Sequence, residues 1–108
     1  MAAKSYKELN DTENIRKLRE VLKTLPKFCK SYFISLETTK STRTRLSYAY
    51  DLSVFFEFLV QSNPYYSKID MINISDPALV LDQISKTDIE EYMSFLQDYD
   101  KDGVNRSN

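Results

Sequence analysis

Histidine is absent from this chain of 108 residues, and cysteine occurs once, at Cys29. Without histidine the chain lacks the commonest general base and the commonest metal ligand, which excludes most hydrolases and metalloenzymes. A single cysteine permits neither an internal disulfide nor a cysteine zinc site, and it favours a reducing cytoplasm as the compartment. We therefore expect no metal site and no cofactor.

Glycine also occurs only once, at position 103, which disfavours a turn-rich β protein. No apolar run approaches the roughly 18 residues that a membrane-spanning helix requires. Residues 1–11 are polar, lack the apolar core of a signal peptide and are expected to be flexible. The length suits one small domain with no membrane segment.

Charge is divided unevenly along the chain. Residues 1–50 contain eleven Lys or Arg against five Asp or Glu, a balance of +6, whereas residues 51–108 contain four against eleven, a balance of −7. A basic front half is suited to meeting a polyanion with one face. Two ordinary solvated surfaces of opposite sign explain the same counts equally well. Charge alone therefore does not decide between binding of a polyanion and plain solvation.

Apolar residues recur at helical spacing through most of the chain, which predicts an all-α bundle of four main helices plus a short one. The expected helices cover about 12–24, 26–37, 41–62, 77–84 and 87–99. Ser41 or Thr42 caps the longest helix, and Thr87 forms a capping box with Glu90 at the start of the last one. Cys29 falls on an apolar stripe and is expected to be a small core residue. After the longest helix we expect an ordered loop that packs apolar side chains on the bundle.

Cations and hydroxyls gather at the start of the longest helix. The cluster consists of Lys40, Ser41, Thr42, Arg43, Thr44, Arg45 and Ser47. Amide groups at a helix N-terminus attract anions, and basic side chains and hydroxyls added there suit the phosphates of a DNA backbone. The alternative is that Ser41 and Thr42 only cap the helix while the cations face solvent. Because cations at a helix N-terminus oppose the helix dipole, we favour phosphate contact.

Other candidates for DNA contact are weaker. Lys86 with Thr87 stands at a predicted helix start, and Lys27 with Lys30 belongs to the second predicted helix. Tyr48 completes the candidate interface, although its place on the apolar stripe of the longest helix favours packing over contact with a base.

An acidic run near the end of the chain is similar to half of a calcium loop. Asp98, Asp100 and Asp102 followed by Gly103 fit the first half of an EF-hand loop. The second half does not fit, because Asn105 takes a usually apolar position and the obligatory glutamate would fall after residue 108. We therefore expect no calcium site here.

Two of the predicted helices carry sequence patterns that are informative when taken together and in order. The longest helix has the pattern Thr44-x-x-x-Tyr48-x-x-Asp51-Leu52-x-x-Phe55-x-x-Phe58-Leu59. A later helix, behind a threonine cap, has the pattern Asp88-Ile89-x-x-Tyr92-Met93-x-x-Leu96. This order resembles the N-terminal, core-binding domain of tyrosine recombinases, the family of phage integrases and Xer-type enzymes. The resemblance covers about residues 26–107, and the helix at 12–24 and the long connection at 63–86 depart from the family pattern.

The resemblance implies a small orthogonal, SAM-like helix bundle over residues 12–102 that holds duplex DNA against its longest helix. It also implies other recombinase protomers as partners, in a synaptic tetramer of the full-length protein. The family's next helix and its catalytic domain, which carries the tyrosine nucleophile, are missing, and residues 103–108 resemble a truncated lead-in to that helix. The resemblance therefore implies a fragment without catalytic residues. This fragment clamps DNA, and the rest of the parent protein performs integration and recombination.

A small helical protein-protein interaction module is the alternative function. Exposed Tyr65, Tyr66 and Tyr99, together with the acidic second half, would suit a protein interface. The missing helix further predicts an exposed apolar groove around Leu52 and Met93.

Overall fold

The computed structural model describes residues 6–101, with side chains described for 6–98. The expected lead-in at 103–108 lies outside these residues, as does the start of the expected flexible segment. Within the described range the chain is helical and has no β-strand, so the predicted all-α bundle is confirmed. The helices are α1 (Tyr6–Leu22), α2 (Cys29–Ser35), α3 (Thr42–Ser62), α4 (Pro64–Ser67), α5 (Ala78–Leu81) and α6 (Lys86–Lys101), with a 3-10 helix at Met71–Asn73.

Helix α1 begins earlier than the polar start of the chain indicates. Residues from Tyr6 onward are helical, so the expectation of a flexible segment through residue 11 is wrong over this part. Thr12, expected near the helix start, donates its hydroxyl to the carbonyl of Glu8 at 2.9 Å within the helix. Lys7 and Asp11 form an ion pair at i, i+4 with a distance of 3.2 Å. Such contacts let polar residues continue a helix that tertiary packing stabilises.

Helix α3 is the spine of the bundle, and its predicted bounds are confirmed. Its 21 residues, at 1.5 Å each, give a rod of about 30 Å. Ser41 is the N-cap. At the other end Asn63 accepts a hydrogen bond from the N–H of Tyr65 at 3.0 Å, and Pro64 starts α4 at once.

Helices α2 and α5 are shorter than the apolar spacing indicates. In the turn before α2, Lys27 donates its backbone N–H to the carbonyl of Ile72 at 3.0 Å, so this turn is tied to the 3-10 helix instead of starting α2. Turns at 36–39 and 82–83 end the two helices.

The core lies where α1, α2 and α3 meet, and the connection after α3 closes it. Its buried hydrophobic side chains are Leu18, Leu25, Cys29, Phe33, Leu46, Ala49, Phe56, Leu59, Tyr66, Met71 and Val80. The last three come from the connection, so its predicted packing on the bundle is confirmed. The predicted exposure of Tyr66 is wrong: it is 1% exposed, and its hydroxyl donates to the carbonyl of Val80 at 3.2 Å.

Helix α6 is capped by Ser85, not by Thr87. The hydroxyl of Ser85 accepts from the N–H of Asp88 at 3.1 Å, and the Asp88 carboxylate accepts from the N–H of Ser85 at 2.9 Å. Asp88 also accepts from the side-chain amide of Asn63 at 3.1 Å, which fixes the capping box beside the end of α3. Thr87 is therefore an exposed residue of the first turn, and the predicted box with Glu90 is wrong.

Aromatic rings attach α6 to α3. The ring centroids of Phe55 and Tyr92 are 4.9 Å apart, and those of Phe58 and Phe95 are 5.1 Å apart. Side chains on another part of α6 remain outside this contact, since Met93 is 55% exposed. The aromatic cluster thus holds α6 on α3 together with the Asn63–Asp88 hydrogen bond, while Ile89 and Met93 keep an apolar strip toward solvent.

Candidate nucleic-acid interface

The N-terminus of α3 is closed by a hydrogen-bonded pair of hydroxyl residues. Ser41 has extended backbone geometry, and its hydroxyl accepts from the N–H of Thr44 at 3.1 Å. The same hydroxyl donates to Oγ1 of Thr44 at 3.0 Å. The predicted capping role of Ser41 is confirmed, and one of the amides left without an intrahelical partner is satisfied.

Thr42 faces inward, toward α1. Its hydroxyl donates to Oδ1 of Asp11 at 2.6 Å and accepts from the side-chain amide of Asn14 at 3.2 Å. Thr42 is only 7% exposed. Its hydroxyl therefore joins two helices and is not free to donate to a phosphate.

Four of the candidate residues remain on the surface at this end of α3. Lys40, Ser41, Arg43 and Ser47 are exposed, and we call this group the basic corner. Within residues 6–98, neither cation of the basic corner forms an ion pair. Arg43 and Ser47 are one helical turn apart and share a side of α3, along which the half-exposed Tyr50 follows.

Arg45 lies apart from the basic corner, in a groove between α1 and α2. The groove has a volume of about 690 Å³ and is also lined by Arg19, Lys23 and Lys30. The Nε atom of Arg45 is buried, with no hydrogen-bond partner among the described residues. The sequence contains a signal for this placement, because Arg45 falls on the apolar stripe of α3. Arg19 and Lys23 were not among the candidates, and their i, i+4 spacing on α1 was the only sign of a shared surface.

Tyr48 is half-buried against the core and lines a second groove, of about 520 Å³. Leu52, Phe28 and Leu81 line the same groove, so the predicted apolar groove is confirmed at Leu52. Met93 is exposed but is not part of its lining. Packing is thus the role that the structure gives Tyr48.

Of the tyrosines expected to form a protein interface, the structure describes the side chains of two, and only one of these is at the surface. Tyr65 is 39% exposed, but its hydroxyl donates to the carbonyl of Leu79 at 2.9 Å. Tyr66 is buried. The side chain of Tyr99 lies outside the described residues.

Lys86 and Thr87 are exposed in the first turn of α6, far from the basic corner. The same turn is joined to the end of α3 by the hydrogen bond between Asn63 and Asp88. The basic corner is at the opposite end of α3, about 30 Å away along the axis of α3. The structure therefore does not bring these two candidates together.

Cys29 is a core residue, as predicted. Burial raises the pKa of its thiol to about 11, so the thiol is protonated and unreactive at neutral pH. Among the residues that the structure describes, no group of three or more Cys, Asp or Glu is arranged to hold a metal ion. Helix α6 continues through Lys101, so the start of the EF-hand-like run is helix and not loop; residues from 102 onward lie outside the described range.

Comparisons of this chain with protein-family models, curated proteins and solved structures found no match. No helix within residues 6–101 combines the length and the apolar character of a transmembrane span. The function of this chain is therefore inferred from its own charges and geometry.

Proposed function

We propose that this chain is the DNA-binding, core-binding domain of a tyrosine-type site-specific recombinase, and that its basic corner contacts the phosphates of duplex DNA. The observation that carries the proposal is the basic corner. There, two exposed cations flank the N-terminus of a long helix, and neither pairs with a carboxylate of residues 6–98. Anions are attracted to helix N-termini, and cations placed there gain nothing from the helix itself.

The charge around the basic corner supports contact with a polyanion. Residues 24–50 contain five Lys or Arg and a single carboxylate, Glu37. The ion pairs among the described residues all lie within residues 7–23. The surface from α2 to the start of α3 therefore keeps an uncompensated positive charge, which favours binding by release of counterions from DNA.

In this proposal the domain is a clamp without catalytic residues of its own. Strand cleavage and rejoining belong to a separate catalytic domain of the recombinase, and other protomers are its protein partners. The clamp acts in the cytoplasm and supplies mainly electrostatic affinity, because phosphate contacts position a protein on DNA without reading sequence.

The experiment that tests the proposal removes the two cations of the basic corner. The double variant Lys40→Gln/Arg43→Gln is expected to bind a random duplex of about 25 base pairs more weakly at about 50 mM salt. The slope of log affinity against log salt is expected to fall by about 2, since each phosphate contact contributes about 0.9.

A matched control separates local contact from net charge. The double variant Lys17→Gln/Lys68→Gln removes the same charge from exposed positions away from the basic corner. The control is expected to keep most of the affinity. Equal loss in both double variants would contradict the proposed placement of the DNA.

A second candidate function, a protein-interaction module, is favoured by the apolar groove beside Tyr48 and Leu52. Salt discriminates between the two functions. DNA binding should weaken steeply between about 50 and 200 mM salt, whereas an apolar protein interface should change little. If the chain bound no duplex at the lower salt, the interaction module would be the better account.

A further inference from the structure

The groove between α1 and α2 has an apolar floor at helical spacing. Ile15, Leu18 and Leu22 come from α1, and Phe33 and Ile34 come from α2. Ile34 is 64% exposed and Ile15 and Leu22 are half-buried, whereas Leu18 and Phe33 are core residues at the base of the groove. From Ile15 to Leu22 the floor runs for about 10 Å along α1, the length of two helical turns. An apolar strip of this length, partly open to solvent, is a feature of sites that receive another helix.

Cations stand on both walls of this groove. Arg19 and Lys23 belong to the α1 wall and Lys30 to the α2 wall, while Glu37 is the only carboxylate in the lining. Lys23 pairs with Glu20 at 3.2 Å. Within residues 6–98, the other lining cations form no ion pair, so the rim keeps a positive field above an apolar floor.

Arg45 lines the same groove and adds its positive charge to that of the other cations. Its Nε atom is buried without an acceptor among the described residues, although buried polar groups in native proteins are nearly always paired. Asp11 is near enough for the charge of Arg45 to contribute to the lowered pKa of Asp11, after larger contributions from hydrogen bonds with Thr42 and Lys7. Its two oxygens already accept from Thr42 and Lys7. The charge of Arg45 would favour an incoming carboxylate in the groove.

We propose that this groove binds a short acidic amphipathic helix of a partner protein. The apolar residues of that helix, at i, i+4 and i+7, lie on the floor, and its carboxylates meet the cations on both walls. The two-sided arrangement distinguishes this occupant from a small amphipathic anion, whose single charged head needs cations at one place only. DNA is a poor match, because its phosphates gain nothing from an apolar floor.

The test uses the whole chain and a designed helical peptide of about 14 residues, with leucines at i, i+4 and i+7 flanked by glutamates. A control peptide carries lysine in place of every glutamate. The glutamate peptide is expected to shift the backbone amides of residues 15–23 and 30–37, and the lysine peptide is not. The double variant Lys30→Met/Arg45→Met is expected to weaken peptide binding about tenfold.

Two comparisons keep the test interpretable. The double variant Arg19→Met/Lys30→Met changes only exposed rim positions, so it covers the case in which loss of Arg45 harms folding. The double variant Lys40→Gln/Arg43→Gln should bind the peptide normally, which separates this proposal from that of DNA binding.

Three results would overturn the inference. Equal affinity for the glutamate and lysine peptides would show that the rim does not select charge. Tighter binding of decanoate than of the peptide, with the same amide shifts, would identify a small amphipathic anion as the occupant. Self-association that Lys30→Met/Arg45→Met abolishes would identify a second copy of this chain.

Discussion

The hydroxyl of Thr42 donates a hydrogen bond of 2.6 Å to Asp11 and thereby joins the start of α3 to α1. Asn14 donates to the same hydroxyl at 3.2 Å. This contact ties α1 to the end of α3 that carries the basic corner. A residue that the sequence assigns to DNA thus has a structural role in positioning the candidate interface.

Removal of the Thr42 hydroxyl is expected to destabilise the fold. In Thr42→Val, Asp11 and Asn14 lose a partner in a partly buried contact, so the free energy of unfolding should fall by about 1 kcal/mol in urea denaturation. Thr38→Val, at an exposed position, should change it by less than about 0.5 kcal/mol. A similar loss in both variants would show that the hydrogen bond contributes nothing specific.

The pKa of Asp11 should report the same contact. The hydrogen bond from Thr42, followed by that from Lys7, lowers the pKa of Asp11 below its ordinary value of 3.8. In Thr42→Val an NMR titration should show this pKa rising toward the ordinary value. The pKa of Glu13, lowered by its hydrogen bond from Arg16, should not move and serves as the internal control.

The sign of the pH dependence follows from the lowered pKa of Asp11. A carboxyl with a folded pKa below its unfolded pKa stabilises the fold fully above the unfolded value and loses that stabilisation as the pH falls through the folded value. The difference in stability between the wild-type chain and Thr42→Val should therefore be largest above about pH 4 and narrow in stronger acid. A difference that widened in acid would contradict this account.

The cap of α6 is assigned to Thr87 by the sequence pattern and to Ser85 by the structure, and two alanine variants distinguish the assignments. Ser85→Ala should lower the free energy of unfolding by about 1 kcal/mol, because Ser85 accepts from the N–H of Asp88. Thr87→Ala should have little effect, since Thr87 is exposed in the first turn. The reverse order of the two losses in urea denaturation would restore Thr87 as the cap.

The helical pattern of the chain was predictable, and so was α3, where a serine cap and a following proline agree with the apolar spacing. The cap of α6 was not predictable from the sequence. Two overlapping patterns, Ser85 with Asp88 and Thr87 with Glu90, fit a capping box equally well. The hydrogen bond from Asn63 to Asp88 favours the first, and this contact across 25 residues of sequence has no local signal. The extension of α1 back to Tyr6 has a local basis instead, because residues 6–10 are exposed and the Lys7–Asp11 ion pair lies within this part of the helix.

The candidate interface was predictable only in part. Its composition at the start of α3 follows from the sequence, but the direction of each side chain depends on which face α1 covers. Thr42 and Arg45 turn toward α1, whereas Lys40 and Arg43 remain at the surface. The sequence groups Arg45 with the other cations, and only its place in the groove beside α1 separates it from them.

DNA binding by the basic corner is tested directly by a titration of isotope-labelled protein with a random duplex of about 25 base pairs. The titration is made first at about 50 mM and then at about 200 mM salt. We predict amide shifts concentrated at Lys40, Ser41, Arg43 and Ser47 that fade at the higher salt. No shift at either salt, or shifts confined to the groove around Leu52, would contradict DNA binding by the basic corner.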